Sequence, residues 1–189
     1  AFETPLGQTP IDEALTGALL AESETLVDGR RPHLEEHSLE MQLPFLQFAL
    51  GEFLLVPLVV GDMSGKDYAE AAQVLAPYLD SSTIVVASSD FTHYGNRFGY
   101  LPFKENPRDN LKKLDDGAIK MILAKDFQGF LGYVDETGAT ICGTRPIGII
   151  LKMLPAKARG TLLYYYTSGD LTGDFSSSVS YASIAFTVH

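Results

Sequence analysis

Apolar residues along the chain follow two spacings, which predict helices and strands in alternation. Apolar positions three and four residues apart predict helices over 10–22, 37–50, 67–79, 107–124 and 146–154, with a short helix after Asp126. Continuous or alternating apolar runs predict strands over 54–60, 83–87, 161–167 and 179–188. We therefore predict an α/β fold with three layers, α/β/α, around a mostly parallel central sheet.

The length bounds the domain organisation. A chain of 189 residues can bury one substantial core but is too short to argue for two domains. No internal repeat or interdomain linker interrupts the pattern. We predict a single domain over residues 1–189.

Composition excludes some partners. A net charge of −10 argues against binding to nucleic acid or to anionic membranes. The sequence contains no run of about 18 apolar residues, so no transmembrane helix is predicted. The single cysteine cannot form an internal disulfide and fits a reducing compartment, so a cytoplasmic location is expected. An unknown small molecule or a protein remains as the expected partner.

Three stretches carry candidate chemistry, and each lies where one predicted element gives way to the next. They are EHSLEMQLPF (36–45), SSDFTHYG (88–95) and ICGTRPIG (141–148). The second follows a predicted strand, and sites in parallel sheets gather at the carboxyl ends of strands. We expect the fold to bring His37, His93 and Cys142 together.

The two histidine stretches each allow two interpretations. Asp90 could orient the His93 imidazole for general acid/base chemistry, or it could cap the following turn. His37 could be a metal ligand or general base, or a histidine that caps its helix at the surface. His33 lies four residues before His37, but Pro32 weakens the case for one regular helix carrying both.

Cys142 also allows two interpretations. It lies just before Gly143 and near a predicted helix start, where the helix dipole and Arg145 favour a thiolate. A thiolate can ligate a metal or act as a nucleophile. The alternative is an inert, packed thiol.

Taken together, the three stretches resemble the Memo family, whose bacterial and archaeal members are also called AmmeMemoRadiSam system protein B. The opening ETPLG (3–7) and the closing stretches YTSGD (166–170) and SVSY (178–181) resemble the family too. The resemblance covers the whole chain in order.

This resemblance implies a fold like that of the class III extradiol dioxygenases and a pocket for iron or copper. His37 and Cys142 match the family's metal-binding residues, and His93 matches a further pocket histidine that could also ligate the metal. In the dioxygenases a similarly placed histidine serves as acid/base. Asp90 belongs to the same motif and is expected to support His93.

The chain departs from the family in one respect, and the family departs from the dioxygenases in another. Family members carry N-terminal strands with a Pro-His-Ala-Gly-type motif, which supplies a further metal ligand and has no match in these residues. The dioxygenases hold Fe(II) by two histidines and a carboxylate, whereas Cys142 would supply a thiolate. Ring cleavage therefore does not follow from the fold.

Three hypotheses follow. The first is a metal-binding protein, and potentially an iron or copper oxidoreductase that acts with O₂ on an unknown small molecule, with His37 and Cys142 as ligands and His93 as proton donor or acceptor. The second is a non-catalytic scaffold that uses the pocket to bind peptides or proteins. The third, a hydrolase built on Cys142, His93 and Asp90, ranks below these because it leaves His37 without a role.

Overall fold

The computed structural model describes residues 1–188 and has the mixed α/β composition that the sequence predicts. The chain divides into two compact units, the first spanning Ala1–Ser88 and the second beginning at Ser89. The prediction of a single domain stays a prediction, because compact units of this size occur within single domains as well as between domains. No helix in the described part of the chain is long and apolar enough to cross a membrane.

The first unit contains a short antiparallel hairpin followed by four helices. In chain order its elements are β1 (Phe2–Thr4), β2 (Gly7–Thr9), α1 (Glu13–Glu22), α2 (Arg30–Glu35), α3 (Ser38–Leu50), α4 (Gly65–Leu75) and a 3-10 turn (Ala76–Tyr78). Its buried apolar residues come from three helices: Leu19, Leu43, Tyr68, Ala71, Ala72 and Val74.

Local capping sets the start of α1. The Asp12 carboxylate accepts a hydrogen bond from the Leu15 N–H, so α1 begins after Asp12, three residues later than the predicted start at Pro10. Thr9 ends β2. Pro44 lies inside α3.

The predicted strands over 54–60 and 83–87 are wrong. Neither run forms a strand, and Leu55 alone makes an isolated parallel bridge, with Ile11. A strand requires a neighbouring strand along its length, and within the described residues of these two runs only Leu55 makes a β-bridge. Apolar patterning identified segments suited to a sheet but could not supply the neighbouring strand.

The second unit combines a three-stranded sheet with four helices. In chain order its elements are β3 (His93–Gly95), a 3-10 turn (Asn96–Phe98), α5 (Pro107–Leu123), α6 (Phe127–Thr137), α7 (Thr144–Met153), β4 (Arg159–Thr167), α8 (Ser168–Thr172) and β5 (Ser177–Thr187). The bounds of α5, α6, α7, β4 and β5 agree within a few residues with the helices and strands that the pattern predicts, whereas β3 and α8 were not predicted.

The sheet of the second unit is antiparallel. Its order is β3-β5-β4, with His93 opposite Val179 and Thr167 opposite Ser180. The predicted three-layer arrangement around a mostly parallel sheet is therefore not confirmed in the described residues. What holds is the coarser class, a mixture of helices and small antiparallel sheets.

Helices α5, α6 and α7 supply most of the core of this unit. Leu111, Ile122 and Phe130 are at most 4% exposed. The Asp126 carboxylate caps α6 by accepting from the Gly129 N–H at 2.8 Å. Gly138 ends that helix in the left-handed conformation, with φ of 65°. That ending turns the chain into the loop that carries Cys142.

Candidate functional site

The first part of the site is the histidine segment, residues 89–93, which leads into β3. Its backbone pairs with β5: the Phe91 N–H donates to the Ser180 carbonyl at 2.8 Å, and the Ser180 N–H donates to the Thr92 carbonyl at 3.0 Å. Phe91 and Thr92 are buried. The side chains of Asp90 and His93, on either side of them, are 45% and 24% exposed. The buried pair thus anchors the segment and leaves the two titratable groups accessible.

The second part is the cysteine loop, residues 139–143, between α6 and α7. Ala139 and Ile141 are buried, whereas Cys142 is exposed. This alternation fixes the loop by its apolar residues and turns the thiol outward. Gly143 then caps α7.

Side-chain hydrogen bonds join the cysteine loop to the start of the histidine segment. The Gly143 N–H donates to the Ser89 hydroxyl at 2.9 Å, and the Asp90 N–H donates to the Cys142 sulfur at 3.1 Å. The Ser89 oxygen also lies 3.8 Å from that sulfur. These contacts hold the sulfur beside the backbone of Asp90.

His93 is fixed at the other end of the two segments by Thr140. The His93 N–H donates to the Thr140 hydroxyl at 2.8 Å, and that hydroxyl lies 2.9 Å from the His93 carbonyl, to which it donates. Nδ1 of His93 is 2.9 Å from the Thr140 carbonyl oxygen. Because a carbonyl oxygen can only accept, Nδ1 carries a hydrogen, and in the neutral ring Nε2 is the nitrogen with the free lone pair.

Asp90 connects the imidazole with the thiol. Its backbone contacts the Cys142 sulfur, and its carboxylate oxygen Oδ2 lies 3.6 Å from Nε2 of His93. That distance is beyond hydrogen-bond range. When Nε2 is protonated, the two side chains form an ion pair. Burial raises the pKa of Tyr181, and the nearby charge of Asp90 raises it further.

His37 lies in the first unit, at the N-cap of α3, with its side chain 82% exposed. The Glu36 carboxylate accepts from the N–H groups of both His37 and Ser38 at 2.8 Å. The Ser38 N–H above all lowers the pKa of Glu36. Nδ1 of His37 is 3.8 Å from the Glu40 carboxylate. His33 belongs to the separate helix α2, so the two histidines do not share a helix face.

The donor chemistry of the second unit fits a metal in part. A histidine that ligates a metal generally donates its other ring N–H to a carbonyl or carboxylate, and the Thr140 carbonyl takes that role for His93. The exposed Cys142 sulfur offers a soft second donor. Within either unit, the described residues include no group of three or more His, Cys, Asp and Glu side chains arranged to hold a metal ion.

Comparison with known proteins identifies the family. The family model for Memo-like proteins matches residues 1–185. The chain belongs to the Memo family. This confirms the resemblance carried by its three central motifs.

Curated relatives agree with this assignment. A MEMO1 family protein of Methanopyrus kandleri is 36% identical over 192 residues, which cover 98% of this Memo chain and 64% of the relative. A MEMO1 family protein of Methanothermobacter thermautotrophicus is 35% identical over 190 residues, covering 98% and 65%. One from Sulfurisphaera tokodaii is 35% identical, covering 98% and 63%. The chain thus spans a little under two thirds of the length of these relatives.

Thr140 is a site residue of this Memo chain that sequence reasoning missed. The expected orienting group for His93 was Asp90, but the Thr140 carbonyl sets the tautomer. A signal was available in the pattern: Thr140 and Cys142 alternate with the apolar Ala139 and Ile141, which places them on one side of the loop.

Proposed function

We propose that this Memo-family chain contributes a redox-active metal site to an iron or copper oxidoreductase that acts with O₂ on a small molecule. The observation that carries the proposal is the double contact of Asp90, whose backbone holds the Cys142 sulfur while its carboxylate faces Nε2 of His93. A soft sulfur donor and an imidazole nitrogen with a free lone pair therefore share one neighbour.

Each residue takes a role that its surroundings support. Cys142 is the metal ligand in the second unit, because its sulfur is exposed and positioned by an N–H donor. His93 is a second ligand or the group that moves a proton, both through Nε2. His37 is a further ligand, a role that rests on its motif and on its exposed imidazole rather than on a distance.

Proton transfer follows from the contacts of His93. Nε2 can take up a proton from a bound small molecule, and the imidazolium that results is stabilised by Asp90 at 3.6 Å. The Thr140 carbonyl keeps the Nδ1 hydrogen in place, so the ring does not need to turn during the transfer. A bound iron or copper ion would supply one-electron chemistry with O₂. We also propose that the complete fold of the family resembles that of the class III extradiol dioxygenases.

Metal binding by the 189-residue chain is the direct test. We expect anaerobic titration with Fe(II) and with Cu(I) to give a stoichiometric complex that Cys142→Ala weakens about 100-fold, since removing a direct ligand costs at least as much as removing its supporting group. His37→Ala and His93→Ala should each weaken it as well. His33→Ala is the matched control, because His33 lies on α2 away from the motif. Equal affinity in wild type and Cys142→Ala would end the proposal.

The alternative is a scaffold that binds peptides or proteins, and helix α3 supports it. Met41, Phe45 and Phe48 lie at helical spacing and are 66%, 72% and 89% exposed, which makes an apolar stripe on the surface of the helix. We would pan a displayed peptide library against wild type and against Phe45→Glu/Phe48→Glu. Leu171→Glu, at an exposed apolar position of the second unit, is the control. Absence of peptides enriched on wild type over the α3 variant would count against the scaffold.

A further inference from the structure

A buried carboxylate is hydrogen-bonded to the histidine segment at Thr92. Asp115, in the middle of α5, is 0% exposed. Its Oδ1 accepts from the Thr92 hydroxyl at 2.6 Å, with the Thr92 N–H at 3.4 Å, and its Oδ2 accepts from the Tyr165 hydroxyl at 2.7 Å. A carboxyl group removed from water in this way is costly unless its hydrogen bonds are well formed.

Asp115 has no part in the proposed chemistry, so the free-energy cost of burying its carboxyl group needs another explanation. Among the ion pairs of the described residues none includes Asp115, and the groups of Thr92 and Tyr165 that donate to it are uncharged. Burial, and next the charge of Asp115, raise the pKa of Tyr165 strongly, so that this phenol remains a hydrogen donor. Tyr165 in turn reaches the Ser180 hydroxyl at 3.3 Å.

Thr92 connects this network to the site. It is 0% exposed and directly precedes His93 in the chain. Asp115 holds its side chain, and the Ser180 N–H holds its carbonyl at 3.0 Å. The backbone that enters His93 is therefore fixed from one side by Asp115 and from the other by Thr140. Two independent supports of this kind leave the imidazole little freedom to move off the Thr140 carbonyl.

We propose that Asp115 is the positioning residue of His93: through Thr92 it holds the backbone at which Nδ1–H meets the Thr140 carbonyl and Nε2 remains free. The importance of that free nitrogen rests on the proposed function, whereas the positioning itself does not. A carboxylate suits the position because it offers one oxygen to each of two hydroxyl donors. An amide can replace it only by turning one of those hydroxyls into an acceptor.

The first readout is the tautomer of His93. Two-bond ¹H–¹⁵N NMR of the ring nitrogens measures it, and the His93→Gln variant assigns the signals. Wild type should show the Nδ1–H form alone. Asp115→Ala should lose that preference and give signals of both tautomers. Asp115→Asn should recover most of it, because the amide oxygen can still accept from Thr92. A folded Asp115→Ala whose His93 signals match wild type would overturn the proposal.

A matched pair of variants covers the case in which Asp115→Ala fails to fold. Thr92→Val and Tyr165→Phe each remove one hydroxyl donor from the same buried carboxylate, but only Thr92 is joined directly to His93 in the chain. We expect Thr92→Val to disturb the His93 tautomer and Tyr165→Phe to leave it intact. Equal disturbance by both would mean that the network serves general packing, and it would overturn the proposal.

Metal affinity is the second readout and separates this proposal from the previous one. Supporting residues of a ligand typically change affinity 10- to 100-fold, so Thr92→Val should weaken Fe(II) or Cu(I) binding by that factor and Tyr165→Phe should not. If wild type binds no metal, the proposed function fails, while the ring-nitrogen signals still decide the role of Asp115. If metal binds but all variants keep one tautomer, Asp115 alone loses its role.

Discussion

At the scale of single residues, Thr140 makes hydrogen bonds with both the backbone and the ring of His93. Its hydroxyl bridges the N–H and the carbonyl of His93, and its own carbonyl takes the Nδ1 hydrogen. One residue thus sets both the backbone and the ring of the histidine. The hydroxyl and carbonyl that Thr140 uses are present in every serine and threonine. The role of Thr140 therefore depends on where the cysteine loop places it.

Replacing Thr140 tests that role. Thr140→Val removes the hydroxyl at nearly constant volume and leaves two His93 backbone groups without their partner, so the free energy of unfolding should fall by about 1–3 kcal/mol. Thr140→Ser keeps the hydroxyl and should cost less than about 1 kcal/mol. Urea denaturation measures both. A loss for Thr140→Val no larger than that for Thr140→Ser would contradict the role given to the hydroxyl.

At the scale of elements, β3 is only three residues long and depends on a close approach to β5. Gly95, its last residue, has φ of 116° and lies against the backbone of Ser176 and Ser177. A Cβ at this position would come within 2.9 Å of the Ser177 Cα. The strand that begins with His93 can therefore end only in glycine.

We expect Gly95→Ala to destabilise the second unit by more than about 2 kcal/mol, from backbone strain and the clash with β5 together. Gly99→Ala is the matched control: its φ is 68°, but a Cβ there would have nothing within 4 Å. The control should cost only the strain, about 1 kcal/mol. Thermal unfolding of both variants gives the comparison, and a Gly95→Ala protein as stable as the control would contradict it.

Hydrogen bonds at the start of helix α8 make the stability of the second unit depend on pH. Burial alone would raise the pKa of Asp170, but hydrogen bonds from the Thr167 hydroxyl and N–H, together with Arg108, outweigh it and hold that pKa below 3.8. A carboxyl with a lowered pKa in the folded state contributes stability above its ordinary value and loses it as the pH falls through the lowered one.

Asp170→Asn should therefore be less stable than wild type at pH 7, by about 1 kcal/mol, the size typical of a lost capping interaction. The difference should shrink between about pH 5 and pH 2, because wild type loses the contribution there and the variant has none to lose. Urea denaturation across that range measures it. A difference that stayed constant from pH 7 to pH 2 would mean that the charge of Asp170 is not responsible.

At the scale of the whole molecule, exposed apolar side chains concentrate in the first unit. The runs over 54–60 and 83–87 are suited to strands, yet Leu54, Leu58, Ile84, Val85 and Val86 are 40% to 64% exposed. Apolar segments without backbone partners tend to pair with other chains. The two runs lack the neighbouring strands that the sheet prediction required, and their exposed apolar side chains therefore favour self-association in solution.

We expect the 189-residue chain to self-associate as its concentration rises, and Val85→Lys to reduce that association by placing a charge in the apolar run. Leu171→Lys, which changes an exposed apolar residue on α8, should leave it unchanged. Sedimentation velocity over a concentration series distinguishes the two. Identical association of wild type and Val85→Lys would exclude the run over 83–87 as the contact.

The sequence by itself determined the local elements of the second unit, the family and the candidate residues. Helical spacing, caps and alternating strands are properties of neighbours in the chain, so α5, α7, β4 and β5 could be predicted within a few residues. The motifs around His93 and Cys142 carried the family resemblance for the same reason, since they are contiguous in the chain.

Only the tertiary structure decided which groups meet. The antiparallel sheet, the lack of strands over 54–60 and 83–87, the Thr140 carbonyl on His93 and the carboxylate of Asp115 behind Thr92 all depend on residues that are well separated in the chain. A hydrogen bond requires a donor and an acceptor within about 3 Å. Local patterning can show that a segment needs a partner, but the partner itself is selected by packing across the whole fold.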